Sequence, residues 1–352
     1  MSFKPNYTIT DKILNNLTLV ASAREFIEQG NLIPKWESRL RREALEHNAH
    51  SSTAIEGNKL TLRQVEALME NQKISSADKD IREVLNYINA LKRIPTFIEK
   101  DQKIRVEDLL NIHAIITKNA LQNSADSGAF RTKQVYVGRK SFDSTSYREE
   151  VEYMPPKTEK VPGLVKEFID WLSSNAAWET NPILLAGIVH YEIARIHPFI
   201  DGNGRAARFL ATLILYLIGF DRRRIFAFDD YYDKDRSAYY AALKTAQASN
   251  GDITQWLEYF TTGAAYSVTE VKETVLKLSR QRRKRGGADI PLAVKQQAII
   301  VYINTHGKVT NRDLQDLFRN SSQAVHKELA KLVELEMIKP IGGGRSIYYV
   351  LA

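Results

Sequence analysis

The chain has 352 residues, of which 43% are hydrophobic and 26% charged, a composition typical of a globular protein of two or three domains. It contains no cysteine, which excludes disulfide bonds, thiolate metal sites and a cysteine nucleophile. No apolar run is long enough to span a membrane and no signal-peptide core follows the N-terminus, so we expect a cytoplasmic protein. The net charge is +8, and residues 268–352 hold nearly all of the excess, with 15 Lys and Arg against 8 Asp and Glu.

The first 105 residues carry apolar side chains at helical spacings and are interpreted as a helical N-terminal region. Within it, residues 48–57 predict a short helix that ends at Gly57, because glycine readily takes the left-handed conformation of a helix C-cap. Another helix is expected to begin behind Thr61, with Gln64 completing a capping box.

The middle of the chain changes character. Residues 128–138 place β-branched and aromatic residues between glycines, which predicts a short hairpin strand. Asn181 and Pro182 then predict the start of an apolar helix that ends near His197, because a proline disfavours the helical conformation of the residue before it. A second apolar helix is expected over residues 208–218.

The basic C-terminal part is predicted to be a separate unit. Residues 279–287 are charged and end in glycines, so we expect a linker there. A helix beginning near Val309, a second helix over residues 323–335 and a hairpin over residues 339–350 follow in the order of a winged helix-turn-helix. Nucleic acid is a candidate partner for this unit, although acidic residues beside the second helix leave a protein partner equally open.

The chemistry is expected in the segment HPFIDGNGRAAR, residues 197–208. Gly202 and Gly204 permit tight turns, and the N–H groups that lead into the next helix form an anion site. Arg205 and Arg208 lie three residues apart and can reach the same side, which suits a polyphosphate.

Two further side chains complete this pattern. Asp201 offers a hard oxygen ligand for Mg²⁺, and His197 is the only group of the segment with a pKa suited to accepting a proton near neutral pH. Together these residues predict phosphoryl or nucleotidyl transfer to an external nucleophile. The glycine pattern also matches a dinucleotide fingerprint, but it follows a helix where that fold requires a strand. His190 has no third ligand at helical spacing, so it is expected to be packed or solvated and not to bind a metal.

The twelve-residue segment resembles the motif HPFx(D/E)GNGRxxR of the Fic (filamentation induced by cAMP) family, and it matches every specified position. The resemblance implies a mainly α-helical bundle with a small β-hairpin flap, its catalytic core lying over residues 106–265. A helix and basic linker over residues 266–288 and the winged helix-turn-helix over residues 289–352 would follow. The implied activity is transfer of AMP from ATP, with Mg²⁺, to a Ser, Thr or Tyr hydroxyl of a protein.

The resemblance also implies roles for individual residues. His197 would be the base that deprotonates the target hydroxyl, and Asp201 would hold Mg²⁺. The phosphates would be held by the backbone N–H groups of Gly202, Asn203 and Gly204 and by the side chains of Arg205 and Arg208. A tyrosine pair, Tyr239 and Tyr240, would lie near the adenine. The flap that binds the target would contain Val135, Tyr136, Val137 and Gly138.

Residues 52–57 read STAIEG and resemble the inhibitory motif (S/T)xxxE(G/N) of self-restrained Fic proteins. The resemblance implies that Glu56 pairs with Arg208 and competes with the γ-phosphate of ATP. The physical reason is that a carboxylate and a phosphate cannot share one guanidinium group.

Several alternatives stay open at this level. The chain could also remove AMP, or it could be a DNA-binding regulator whose Fic core senses a nucleotide. The sequence does not identify the target protein, does not decide whether the chain modifies itself, and does not distinguish a monomer from a homodimer.

Overall fold

The computed structural model describes residues 3–29, 34–97, 104–143, 146–284, 293–335 and 337–351. The chain is mainly helical, as predicted, and it divides into two compact units. The first unit comprises Met1–Ala23 and Ala44–Glu270, and the second comprises Arg24–Glu43 and Val271–Ala352. Among the described helices, none is both long enough and apolar enough to cross a bilayer.

The N-terminal part of the chain is built from four helices: α1 (Asp11–Gln29), α2 (Pro34–Ile55), α3 (Leu62–Met69) and α4 (Asp78–Arg93). The predicted short helix over residues 48–57 is the last part of the long helix α2, since residues 34–51 include no helix-breaking residue after the first turn. Gly57 follows with φ +92°, as a helix-terminating glycine should. The capping box is confirmed: the Thr61 hydroxyl accepts from the Gln64 N–H, and the Gln64 side chain accepts from the Thr61 N–H.

The next part carries the small hairpin between helices: α5 (Val106–Ile116), β1 (Val137–Asp143), β2 (Ser146–Tyr153), α6 (Val161–Leu172) and α7 (Asn175–Trp178). Strands β1 and β2 are antiparallel, with Val137 opposite Tyr153 and a register irregularity after Val137. The strand predicted over residues 128–138 was therefore placed too early, and Val135 and Tyr136 precede the hairpin. The preceding segment is irregular because Arg131 anchors it through side-chain and backbone hydrogen bonds to carbonyl groups.

The centre of the first unit is the packed pair α8 (Pro182–Ile196) and α9 (Asn203–Leu217), followed by α10 (Asp229–Lys234), α11 (Arg236–Ala248) and α12 (Thr254–Lys284). Asn181 caps α8 as predicted, because its side chain accepts from the Ile183 N–H at 3.0 Å. Gly187 lets α12 approach α8 closely, since a Cβ there would lie 2.8 Å from a Leu257 methyl carbon. The buried Trp256 ring N–H donates to the Gly187 carbonyl at 2.8 Å. These contacts make α8 a rigid support for the segment that follows it.

The C-terminal part of the second unit contains α13 (Val294–His306), α14 (Asn311–Phe318), α15 (Ser322–Glu334), β3 (Ile338–Ile341) and β4 (Tyr348–Leu351). Strands β3 and β4 pair as an antiparallel hairpin, and Val309 forms an isolated bridge with Tyr349. The helix predicted to begin near Val309 starts at Asn311, behind the cap Thr310. Helix α13 was not predicted.

The linker predicted over residues 279–287 is partly wrong. Residues 279–284 continue α12, and residues 285–287 lie outside the described part of the chain. Lys, Arg and Gln are good helix formers, so a charged run at the end of a helix can extend it. Helix α12 also runs through the predicted domain boundary at residue 265.

Candidate active site

His197 occupies the C-cap of α8 in a left-handed backbone conformation, with φ 51° and ψ 59°. Since Pro198 follows, the helix cannot continue and the chain turns away at this residue. The His197 Nδ1 lies 3.3 Å from the Ala194 carbonyl oxygen, so a proton on Nδ1 can donate there while Nε2 keeps its lone pair. Burial lowers the pKa of His197, which leaves the ring neutral, and able to accept a proton, at neutral pH.

Arg131 braces the turn around His197. The Arg131 side chain is 3% exposed, and its Nε donates to the His197 carbonyl oxygen at 2.8 Å. Its backbone N–H donates to the Pro198 carbonyl oxygen at 2.9 Å. Its Nη1 donates to the Thr158 hydroxyl at 2.6 Å, so one side chain connects the histidine turn to the chain on either side of the hairpin. Sequence reasoning missed this residue, because a single arginine in an irregular segment carries no pattern.

The loop between α8 and α9 is closed by Asn203. The Asn203 Oδ1 accepts from the Phe199 N–H at 2.9 Å, and its Nδ2 donates to the Phe199 carbonyl oxygen at 2.9 Å. The Asn203 side chain is therefore engaged within the loop, and only its backbone N–H remains to serve the anion site assigned to it.

His113 lies beneath the same loop and was also missed. Its ring stacks on Phe199 at a centroid distance of 3.7 Å, and its Nε2 donates to the Asp201 carbonyl oxygen at 2.9 Å. The Gly128 N–H donates to its Nδ1 at 3.0 Å, so both ring nitrogens are satisfied in the neutral form. Burial lowers the pKa of His113 to about 4. A lone histidine among the apolar residues of α5 was the available signal.

Gly202 begins α9 with φ +82°, and its environment leaves no space for a side chain. A Cβ there would lie 2.8 Å from the Thr117 methyl carbon and 3.3 Å from the His113 Nε2. Both the positive φ and the close packing therefore require glycine. The result is a tight turn that aims the first N–H groups of α9 outward.

Arg208 is buried on α9, and each of its three guanidinium nitrogens donates a hydrogen bond. Its Nε donates to the Ser52 hydroxyl at 2.8 Å and its Nη2 donates to the Ser52 carbonyl oxygen at 2.8 Å. The same Nη2 donates to Glu56 Oε1 at 2.7 Å, and Nη1 donates to the Tyr239 hydroxyl at 3.3 Å. The end of α2 is thus held on the guanidinium group by three hydrogen bonds from two residues.

The Glu56 carboxylate lies directly against the first turn of α9. A Cβ built on Gly204 would overlap Glu56 Oε1 and lie 3.1 Å from the Arg208 Nη1. The carboxylate therefore fills the space that a side chain at position 204 would occupy. A helix N-terminus with an adjacent arginine is an anion site, and here a carboxylate of the same chain occupies it.

Arg205, one turn earlier on α9, has different surroundings. Its side chain is 2% exposed, its Nη1 lies 3.2 Å from Glu83 Oε1, and its Nη2 lies 3.6 Å from Asp201 Oδ1. Nε and Nη1 of Arg205 make no hydrogen bond to any residue within the described ranges. Asp201 itself is half-exposed, and its Oδ1 accepts from the Gly202 N–H.

The comparisons with known proteins agree with this geometry. Residues 103–215 match the Fic/DOC family. The chain carries a Fic domain. It is 34% identical over 222 residues to a protein named protein adenylyltransferase Fic from Nematostella vectensis, and 31% identical over 225 residues to protein adenylyltransferase fic-1 from Caenorhabditis elegans. These matches cover 62% and 63% of this chain but only 46% and 40% of the two relatives, so the chain spans less than half the length of the curated relatives it matches.

Solved structures show the same fold. A Fic family protein from Desulfovibrio desulfuricans G20 superimposes with a TM-score of 0.63 at 24% identity, over 99% of this chain and 98% of that chain. A fragment of Fic-1 from C. elegans superimposes with a TM-score of 0.59 at 25% identity, over 76% of this chain and 74% of that chain. The small hairpin β1–β2 therefore belongs to a Fic fold, as predicted.

The predicted adenine-side residue Tyr239 is buried in the Fic domain. Tyr239 is 1% exposed, and its hydroxyl is shared between Arg208 and the His190 Nε2, which is 2.9 Å away. Its ring packs in an aromatic core with Tyr232 and Trp256, and its position beside an adenine stays a prediction. His190 is packed in the same core, which agrees with one of the two expectations for this residue, packed or solvated.

The remaining predicted residues lie at the edge of the Fic domain. Tyr240 is half-buried, and its hydroxyl donates to the Ile55 carbonyl oxygen at 3.1 Å, directly before Glu56. Val137 and Gly138 open strand β1, whereas Val135 and Tyr136 lie in the chain leading to it. The hydroxyl of Tyr153, at the end of β2, donates to the Arg195 carbonyl oxygen at 2.8 Å, which ties the hairpin to the last turn of α8.

Proposed function

We propose that the chain transfers AMP from ATP to a Ser, Thr or Tyr hydroxyl of a protein and that Glu56 restrains this activity. The observation that carries the proposal is the carboxylate of Glu56 at the N-terminus of α9, against Gly204 and Arg208. It marks a site that accepts an anion, next to a neutral histidine that can accept a proton. The Fic domain and the names of its relatives point to a nucleotide as the ligand.

The proposed chemistry uses His197 as the base. The target hydroxyl gives its proton to His197 Nε2 while its oxygen bonds to the α-phosphorus of ATP. The bond from that phosphorus to the α,β-bridging oxygen breaks, and pyrophosphate leaves. Arg131 serves this step by holding the turn that aims the ring. Arg205, Arg208 and the first N–H groups of α9 stabilise the charge on the phosphates.

The site also fits Mg²⁺ that arrives with the nucleotide. Asp201 offers one half-exposed carboxylate, and the described ranges contain no group of three His, Cys, Asp or Glu residues that could hold a metal by themselves. Mg²⁺ commonly binds through one or two carboxylates together with substrate phosphates. When bound, the ion would neutralise charge on the phosphates, and Asp201 would be its protein ligand.

Restraint by Glu56 follows from the contacts of Arg208. Every N–H group of that guanidinium that is described above faces Ser52, Glu56 or Tyr239. A γ-phosphate would have to displace the Glu56 carboxylate before it could reach Arg208. ATP binding in a productive position therefore requires the end of α2 to move away from Arg208.

The hairpin supplies a place for the target. Val137 and Gly138 begin a strand pair that Tyr153 ties to the last turn of α8, so an extended target segment could add to its edge as a further strand. Tyr240, at the end of the inhibitory segment, stays a candidate for the adenine side of the site.

Intact mass spectrometry tests the proposal. Wild type, Glu56→Gly and His197→Ala are each incubated with ATP and Mg²⁺, alone and with a mixture of candidate target proteins. We expect the mass of AMP on the Glu56→Gly form or on a target, less with wild type and none with His197→Ala. A transfer that is equally fast with His197→Ala would refute the role of the histidine, and equal rates for wild type and Glu56→Gly would refute the restraint.

For the C-terminal part we propose a winged helix-turn-helix that contacts DNA. The supporting observation is the exposed face of α15, which carries His326, Lys327 and Lys331. DNA binding by the full chain should weaken with rising salt, and it should weaken further in Lys327→Glu with Lys331→Glu. An unchanged mobility of DNA at low salt would instead favour a protein partner for this surface.

A further inference from the structure

Glu83 is a buried carboxylate that the proposed chemistry does not use. It lies on α4, is 7% exposed, and faces the catalytic motif from outside it. Its Oε1 lies 3.2 Å from the Arg205 Nη1. Its Oε2 accepts from the Asn58 Nδ2 at 3.0 Å. Its two oxygens therefore face different partners, Arg205 on one side and Asn58 on the other.

Asn58 holds this carboxylate in one orientation. Its Nδ2 also donates to the Asp80 carbonyl oxygen at 3.0 Å, and its Oδ1 accepts from the Leu60 N–H at 3.1 Å. The Asn58 side chain is thus fixed by the backbone of two segments and cannot turn away from Glu83. Lys79, at 3.8 Å from Glu83 Oε1, adds a second cation at the solvent side.

Arg205 depends on this arrangement for its position. It is 2% exposed, and a buried guanidinium requires a nearby negative charge. Its other carboxylate neighbour, Asp201, is half-exposed and more distant, at 3.6 Å. Nη1 is the nitrogen that faces Glu83, whereas Nε makes no hydrogen bond to the residues described, so Glu83 balances the charge without engaging Nε.

We propose that Glu83 is the positioning residue for Arg205: it fixes the guanidinium group from the side of α4 so that the N–H groups that do not face Glu83 can bind the phosphates of the nucleotide. This proposal rests on the proposed nucleotide site, and it adds a residue outside the twelve-residue motif. Glu83 makes no contact with the reacting atoms and acts only through Arg205.

The proposal predicts whether the loss of the Glu83 charge weakens or strengthens nucleotide binding. A negative charge close to an anion site, if it were only a charge, would weaken nucleotide binding, and its removal would strengthen it. A positioning residue has the opposite effect, because a misplaced arginine loses its charge-assisted hydrogen bonds to phosphate. Glu83→Gln keeps the size of the side chain and removes only the charge.

The test is a double-mutant cycle on the full chain in a Glu56→Gly background, in which Arg208 is also released. Binding of α,β-methylene-ATP with Mg²⁺, whose bridging carbon prevents transfer, is measured by calorimetry. We expect Glu83→Gln to weaken binding about tenfold, the size of one charge-assisted hydrogen bond. In an Arg205→Ala background the same change should have no further effect, since Glu83 acts through that arginine.

A control separates positioning from general loss of stability. Asp221 is another buried carboxylate, which accepts from the Ile225 N–H at 3.1 Å. Asp221→Asn should lower the melting temperature and leave the affinity for the probe unchanged. Unchanged or tighter binding by Glu83→Gln, or an equal loss with and without Arg205, would overturn the proposal. A failure of the Glu56→Gly parent to bind the probe would refute the nucleotide site itself, which is a distinguishable result.

Discussion

Arg205 and Arg208 lie one helical turn apart on α9 and are almost equally buried, yet their surroundings differ. Arg208 donates to Ser52 and Glu56 at the end of α2 and to Tyr239 on α11, so residues of two segments occupy it. Arg205 faces one fixed carboxylate, and two of its nitrogens make no hydrogen bond within the described ranges. The difference teaches that burial alone does not show how an arginine is engaged: every guanidinium nitrogen of Arg208 donates a hydrogen bond, whereas two of those of Arg205 do not.

The two arginines share a support. His113 packs under the loop that precedes both, and Asn203 closes that loop from within. The occupant of Arg208, by contrast, comes from a distant part of the sequence. A change in the support should therefore affect both arginines, whereas a change in α2 should affect Arg208 alone.

The largest expected effect comes from protonation of His113, which would disrupt the support shared by the two arginines. His113 is neutral in the fold, with a pKa of about 4, whereas an unfolded histidine titrates near 6.5. The unfolded chain therefore takes up a proton first, so the stabilisation is complete above pH 6.5 and is lost as the pH falls toward 4. We expect this residue to account for a loss of about 3 kcal/mol of unfolding free energy across that window.

Urea unfolding at a series of pH values checks this expectation. The stability difference between wild type and His113→Gln should shrink as the pH falls from 6.5 to 4, because the variant lacks the titrating group. A difference that stays constant across these pH values would show that the ring contributes by packing only.

The next prediction compares the affinities for ATP and ADP, which show whether Glu56 keeps phosphate from Arg208. In wild type, ATP and ADP should bind with similar affinity, because Glu56 occupies the guanidinium that would hold the third phosphate. In Glu56→Gly, ATP should bind roughly 10- to 100-fold more tightly than ADP, the range of a charge-assisted hydrogen bond. Calorimetry with His197→Ala added to both forms prevents turnover. A wild type that already prefers ATP by the same factor would contradict the comparison.

A smaller effect concerns the space at Gly204. An alanine there would overlap the Glu56 carboxylate, so Gly204→Ala should lower the unfolding free energy by about 1–3 kcal/mol. In the Glu56→Gly background the overlap is gone, and the same substitution should cost clearly less. Thermal denaturation of the four proteins measures this. Equal costs in both backgrounds would mean that the carboxylate does not fill this space.

The smallest expected effect loosens α2 without touching Glu56. Asp230 on α10 accepts from the Ser51 hydroxyl at 2.7 Å, and the His47 Nδ1 lies 2.6 Å from it. Asp230→Asn should raise AMP transfer severalfold, because these two contacts, of about 1 kcal/mol each, hold this part of the helix. Asp233→Asn is the matched control, since its nearest contact with α2 is the His50 Nδ1 at 3.9 Å. Equal rates for Asp230→Asn and wild type would show that these contacts do not restrain α2.

Local patterns explain which elements were predictable. The capping box at Thr61, the Asn181 cap and the two apolar helices around the motif all depend on neighbouring residues, and the structure contains them. The strand over residues 128–138 was misplaced because the long-range hydrogen bonds of Arg131, which lies within it, decide its conformation. The charged run over residues 279–284 was mistaken for a linker because charge alone does not distinguish an exposed helix from a coil.

The amino-acid sequence by itself determined the helical class, the position of the motif and the chemical types in it, because twelve adjacent residues carry that information. Only the tertiary structure decided which groups are free to act. It placed Glu56 and Ser52 on Arg208, Glu83 and Asp201 beside Arg205, and the Tyr239 ring in the core. The physical reason is that hydrogen bonding and burial join residues from distant parts of the chain, and no local spacing records such contacts.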